Sequence, residues 1–148
     1  MNKIMRNLLL LALVAFSFAT FAQQPSLTGI WELKRSKDGQ GAIKELPVGT
    51  YKLYTSDGRF SIMQLTQKGA ILTHEGLFEI DADNGYVENV DNKLQGSSID
   101  QKQNEITYKL SDNGDMLTLE GLINLGEGKN TFKLYEEWKK VKVEFPKE

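Results

Sequence analysis

The stretch Leu27-Thr28-Gly29-Ile30-Trp31-Glu32-Leu33 decides the fold, because it opens the first predicted strand with a glycine two residues before a tryptophan. Tryptophan is large and mostly buried, and Leu33 lies in phase with Trp31 in an extended chain. Gly29 lets a neighbouring segment approach closely, since it has no Cβ. We therefore predict that Trp31 points inward at the end of a β-barrel, and we assign Gly29, Trp31 and Phe132 to a structural plug.

The chain that follows is typical of antiparallel strands joined by tight hairpins. Pairs such as Asp57-Gly58, Asn84-Gly85 and Asn113-Gly114 supply the positive φ values that short turns require. Between the turns lie runs rich in Tyr, Phe, Ile, Val and Thr, which predict strands. Eight strands are predicted, at residues 29–35, 50–56, 59–67, 70–81, 86–92, 104–111, 115–123 and 131–143.

This pattern favours an all-β fold, a single antiparallel up-and-down barrel of about eight strands, because closure removes exposed strand edges. A two-sheet sandwich is the alternative. Residues 92–103 are polar and fit either a long loop or an extra strand. Residues 131–143 are assigned to the closing strand, although Phe132, Tyr135 and Trp138 also recur at helical spacing.

Residues 1–22 have the features of a signal peptide. Lys3 and Arg6 precede an apolar run over residues 8–18, and Thr20-Phe21-Ala22 forms a small-x-small exit. The apolar run is shorter than the ~20 residues of a spanning helix. We expect cleavage after Ala22, a periplasmic or secreted location, and no membrane insertion of the mature chain. Residues 23–148 are then one β-barrel domain, large enough for a single hydrophobic core.

Composition excludes several classes of function. The 18 basic and 20 acidic residues are interspersed and give a formal net charge of −2, which argues against nucleic acid as a partner. The chain has no cysteine, so thiol catalysis and zinc-thiolate sites are excluded, and stability must come from packing. One histidine and no calcium-loop pattern predict no metal site, and no cofactor motif is present.

Alternation along the predicted strands places several polar side chains on the inner face of the barrel. His74, the only histidine, shares a face with Phe78, and Glu88 shares a face with Tyr86. A register slip of one residue would turn Glu88 outward. The predicted ligand-binding residues are Tyr51, His74, Phe78, Tyr86, Glu88, Tyr108 and Glu136, with the four aromatic residues nearer the open end.

The same inward polar side chains also fit a hydrogen-bonded core network that holds no ligand. The pKa of His74 distinguishes two local arrangements. Pairing with the Glu88 carboxylate across adjacent strands would raise the histidine pKa, whereas burial alone would lower it.

Further motifs follow Gly29-Ile30-Trp31 in a fixed order. They are Pro47-Val48-Gly49-Thr50-Tyr51, Asp57-Gly58-Arg59-Phe60 and His74-Glu75-Gly76-Leu77-Phe78-Glu79-Ile80. In this order the chain resembles small secreted bacterial lipocalin-like domains of unknown function, within the calycin superfamily. The resemblance implies an antiparallel barrel with a small internal cavity. In lipocalins a basic residue of the last strand packs over the tryptophan, and here Lys139, Lys140 or Lys142 would take that place.

The sequence therefore predicts an exported binding module that holds a small hydrophobic or amphipathic molecule inside the barrel. One alternative is a barrel enzyme that uses the inward carboxylates of Glu88 and Glu136, although no catalytic residue is assigned because nucleophile and phosphate-loop motifs are missing. Another is a structural or protein-interaction module with a solid core. The sequence does not identify a protein partner.

Overall fold

The computed structural model describes residues 26–81, 83–93, 104–124 and 131–143. Within these ranges the chain forms strands, turns and short connections, and no helix is present that is long and apolar enough to cross a bilayer. The strands are β1 (Gly29–Lys37), β2 (Ile43–Glu45), β3 (Thr50–Tyr54), β4 (Arg59–Thr66), β5 (Gly69–Ile80), β6 (Gly85–Lys93), β7 (Asn104–Leu110), β8 (Met116–Asn124) and β9 (Thr131–Lys140).

The sheet has the order β2-β1-β3-β4-β5-β6-β7-β8-β9, and an additional β1–β9 pairing closes it into a barrel. All of these pairings are antiparallel. The first part of β1 pairs with β3, and Arg35 to Lys37 pair with β2 instead. Eight strands, β1 and β3 to β9, therefore form the barrel predicted from the sequence, and β2 is an extra strand beside it.

The eight predicted strands are confirmed, including the ambiguous last one. Thr131–Lys140 is extended because it pairs with β8 on one side and β1 on the other, so the helical reading of its spacing is wrong. The prediction missed β2, whose three residues are all exposed and therefore lack an apolar alternation. Of the polar segment at 92–103, Asn92 and Lys93 belong to β6. Residues 94–103 lie outside the described residues, and so does the predicted signal peptide at 1–22.

The barrel interior is packed at the end where β1 begins and β3 ends, which we call the plugged end. Trp31 is fully buried there, together with Tyr54, Phe60 and Tyr86. The Trp31 indole Nε1–H donates a hydrogen bond of 2.7 Å to the carbonyl oxygen of Leu27. The chain entering β1 thus covers the ring and satisfies its polar atom, so the indole is buried without an unpaired donor.

Gly29 is required by its backbone conformation, and it also leaves room for Lys140 to approach Trp31. Its φ is +132°, and a Cβ there would lie 3.1 Å from Cε of Lys140. The Lys140 Nζ lies 5.2 Å from the centre of the Trp31 ring, within the range of a cation–π interaction. Of the three lysines considered from the sequence, Lys140 is the one that covers Trp31.

Three bulges interrupt the alternation of side chains between the two faces. Opposite β9, the register of β1 shifts between Leu33 and Arg35, which leaves Lys34 as the extra residue. Opposite β4, the register of β5 skips Thr73, since Met63 pairs with Leu72 and Ile62 pairs with His74. Opposite β5, the register of β6 skips Asp91, since Glu75 pairs with Asn92 and Gly76 pairs with Val90. An inserted residue reverses the alternation beyond it. The interior therefore takes different side chains before and after each bulge.

Candidate functional site

The interior beyond the plug holds a cavity of about 460 Å³, towards the end where β1 stops and the β4–β5 hairpin begins. We call this the cavity end. Apolar walls come from Leu33, Ile62, Val90, Ile106 and Phe132, among others. The volume lies within the range of small-molecule pockets, which are mostly apolar with a few placed polar groups.

The floor of the cavity is a buried ion pair. Lys52 is only 2% exposed, and its Nζ lies 2.6 Å from Oε1 of Glu88. The Tyr86 hydroxyl donates to the same carboxylate oxygen, and the hydroxyls of Tyr54 and Tyr86 lie 2.9 Å apart. Because isolated buried charges are costly, this network is what allows Lys52 and Glu88 to lie inside the barrel.

Aromatic rings surround the Lys52 ammonium, with Nζ at 5.1 Å from the ring centre of Trp138, 5.6 Å from Phe60, 5.7 Å from Tyr54 and 5.9 Å from Tyr86. All four distances are within cation–π range. Burial alone would lower the pKa of Lys52, but the negative charge of Glu88 and its neighbours outweighs burial and raises the pKa. Lys52 is therefore held in its charged form, with Glu88 as its hydrogen-bond partner and aromatic rings around it.

Glu136 also faces the cavity, beside this pair. Its Oε2 accepts a hydrogen bond of 2.9 Å from the Trp138 indole N–H. Burial raises the pKa of Glu136, the positive charge of Lys52 opposes the rise, and Glu88 adds to it. Glu136 is thus a second carboxylate next to a single buried cation.

His74 lines the cavity above Glu88 and is half-buried. Burial lowers the pKa of His74 below its ordinary value of 6.5, and the nearby Lys52 and Lys93 lower it further, while the Glu88 carboxylate pulls it back up. Of the two arrangements considered from the sequence, the structure matches the buried histidine, because burial makes the net shift of the His74 pKa downward. The Glu88 carboxylate forms its ion pair with Lys52, and its effect on the pKa of His74 is smaller than that of burial.

We expect NMR titration of the single histidine to give a midpoint below 6.5, because burial disfavours the imidazolium. The unfolded chain then binds more protons than the native protein between the two pKa values. This difference makes stability fall as the pH drops from about 6.5 through the folded value. Glu88→Gln should lower the midpoint further, since it removes a negative charge. A midpoint at or above 6.5 in the parent protein would contradict this placement.

The structure brings three of the predicted ligand-binding residues, His74, Glu88 and Glu136, to the cavity. Tyr51 is not among the residues that line it, because Lys52 and Tyr54 take the inward positions of β3 and Tyr51 alternates with them onto the outer face. The prediction of Tyr51 as an inward residue is therefore wrong.

The other predicted aromatic residues pack at the plugged end rather than near the opening. Phe78 makes an edge contact with Tyr54 at a ring-centre distance of 4.8 Å and stacks against Tyr86 at 6.2 Å, and Tyr108 is buried in the same core. Conversely, Phe132, predicted to plug the barrel, lines the cavity. Alternation had given the correct face for these side chains but not their depth along the barrel axis.

Lys52 is the site residue that the sequence analysis missed. It lies two residues before the buried Tyr54, so the alternation that places Tyr54 inside also places Lys52 inside. A second signal was the presence of inward carboxylates, since buried carboxylates need a cation.

Among residues 26–81, 83–93, 104–124 and 131–143, no cluster of three or more His, Asp or Glu side chains could hold a metal ion.

A closed antiparallel barrel of eight strands, plugged at one end and hollow at the other, defines a small β-barrel domain. The family model described as "Domain of unknown function (DUF4488)" matches residues 26–147, and the chain belongs to this family. A search among curated proteins found no match.

Proposed function

We propose that this protein is a binding module that holds one small hydrophobic or amphipathic molecule in the barrel cavity. The observation that carries the proposal is the division of the interior into a packed aromatic plug and a cavity of about 460 Å³. Its walls are mainly apolar, while Lys52, Glu88 and Glu136 gather at its floor. This distribution matches an amphipathic molecule with its polar end inward.

The contacts favour binding over the two alternatives. A barrel with a solid core would not contain an internal space of this size lined by apolar side chains. Acid–base catalysis by Glu88 is disfavoured, because its carboxylate already accepts from both Lys52 and Tyr86. These bonds hold Glu88 as a fixed counter-charge rather than as a group free to exchange protons.

We further propose that the domain is related to the lipocalins and that the protein is exported. The contact between Lys140 and Trp31, made possible by Gly29, supports the relationship, because it reproduces the basic residue over tryptophan that the resemblance implied. Residues 1–22 support export to the periplasm or to the outside of the cell, through their basic start, apolar run and small-residue exit.

Tryptophan fluorescence offers a direct test, since Trp138 lines the cavity and Trp31 is buried in the plug. Titration with amphipaths of one short alkyl chain should change the Trp138 emission and saturate. Val90→Phe fills part of the cavity and should weaken binding by about tenfold or more, because the ligand loses apolar contact area. Val87→Phe is the matched control, because Val87 alternates onto the outer face of the same strand.

Equal affinities for the Val90→Phe and Val87→Phe variants would show that the bound molecule does not occupy this cavity. A chain that binds none of the amphipaths would contradict the proposed function altogether.

A further inference from the structure

The cavity floor carries two carboxylates, Glu88 and Glu136, and one ammonium, Lys52. This excess of negative charge bears on which polar head group a ligand carries. Lys52 and Glu88 form a contact pair with a separation of 2.6 Å. Glu136 faces the same space and is the second carboxylate beside one buried cation. Within the described part of the chain, no ion pair within 4 Å involves Glu136.

The hydrogen bonds of Glu136 leave acceptor capacity towards the cavity. Its Oε2 accepts from the Trp138 indole, and no second donor reaches the carboxylate from the residues that the structure describes. An ionised carboxylate has room for about four hydrogen bonds. The side chain is half-buried rather than sealed, so a ligand inside the cavity can reach the unused oxygen.

Lys52 is not available in the same way for an anionic ligand. Lys52 is 2% exposed. Its ammonium donates a hydrogen bond to Glu88 and has the centres of aromatic rings within 6 Å on several sides. An anion at the floor would have to displace Glu88 or lie beside two carboxylates. Like charges at such distances are strongly unfavourable in a partly buried site.

We propose that Glu136 is the residue that selects the ligand, and that the ligand is an amphipathic amine whose protonated head binds the Glu136 carboxylate while its apolar body lies against the cavity walls. The inference rests on the proposed function and deepens it. The ammonium supplies the missing positive charge, and a charge-assisted hydrogen bond replaces the water that hydrates the carboxylate. Trp138 keeps the carboxylate oriented through its indole N–H.

Three probes of the same chain length separate the contribution of the head group from that of the chain: decylamine, decanol and decanoate. At neutral pH the parent protein should bind decylamine about tenfold or more tightly than decanol, and decanoate most weakly, because hydrogen bonds to charged groups are the strong ones. Affinity is read from the Trp138 emission and checked by calorimetry.

Glu136→Gln is the decisive variant, because glutamine keeps an oxygen for the Trp138 indole and removes the charge while preserving the size of the side chain. The variant should lower the affinity for decylamine to about that for decanol and should raise the affinity for decanoate. Glu120→Gln is the control, since Glu120 is exposed on the outer face of β8, and it should change neither value. A role of Glu136 in folding alone would lower all three affinities together and would not reverse the preference.

The outcomes distinguish this inference from the proposed function. Equal or tighter binding of decanoate by the parent protein, or an unchanged order of affinities in Glu136→Gln, overturns the amine assignment and leaves a binding module for other amphipaths. Failure of all three probes to bind overturns both proposals.

Discussion

Trp31→Ala is expected to lower the free energy of unfolding by about 3 to 5 kcal/mol, as for other large aromatic side chains removed from packed cores. Trp31 has no exposed surface, so its loss leaves an empty volume in the plug. The substitution also removes the hydrogen bond to the Leu27 carbonyl and the ring beneath Lys140. Such a loss is a large part of the net stability of a domain.

Denaturant unfolding followed by circular dichroism measures the effect of Trp31→Ala. Leu122→Ala serves as the control, because Leu122 is 59% exposed on β8 and should change the unfolding free energy by no more than about 0.5 kcal/mol. A midpoint for Trp31→Ala equal to that of the parent protein would show that the plug does not depend on this ring.

Lys52→Met is expected to have an effect of similar size, about 3 to 5 kcal/mol, for an electrostatic reason. Methionine nearly preserves the volume of lysine, so the apolar packing is largely retained. The substitution leaves the carboxylate of Glu88, which is 7% exposed, without its counter-charge. The same denaturant experiment measures this loss, and Lys109→Met, at an exposed position on β7, is the control.

A second substitution isolates the cause. In the Lys52→Met background, Glu88→Gln removes the unpaired charge and retains an acceptor for the Tyr86 hydroxyl, so it should restore at least half of the lost free energy. Additive losses in the double variant would mean that Lys52 and Glu88 contribute independently. That result would contradict the buried pair as the floor of the cavity.

The strand order could be predicted from the sequence because turn chemistry and alternation are local signals. Asp57-Gly58 and Asn113-Gly114 mark hairpins that the structure contains, and the alternation around Trp31 and Leu33 places both inside. β2 gave no such signal, because a short and fully exposed strand is held by backbone pairing to β1 alone.

The site was only partly predictable, for two physical reasons. A bulge leaves no mark in a hydrophobic pattern, so the extra residue at Thr73, which adds Thr73 to the cavity beside the correctly predicted His74, could not be anticipated. Alternation also defines the face on which a side chain lies but not its depth, because the strands of a barrel are tilted relative to the barrel axis and staggered in register. Phe132 and Tyr86 were therefore assigned to the wrong ends of the interior.

Native mass spectrometry of the protein, purified without lipid stripping, tests the central claim most directly. We predict an adduct of one small molecule per chain, retained in Val87→Phe and lost or strongly reduced in Val90→Phe, because only the second change fills the cavity. A parent protein that carries no adduct, and that takes up none from a panel of amines, alcohols, fatty acids and bile acids, would contradict the account.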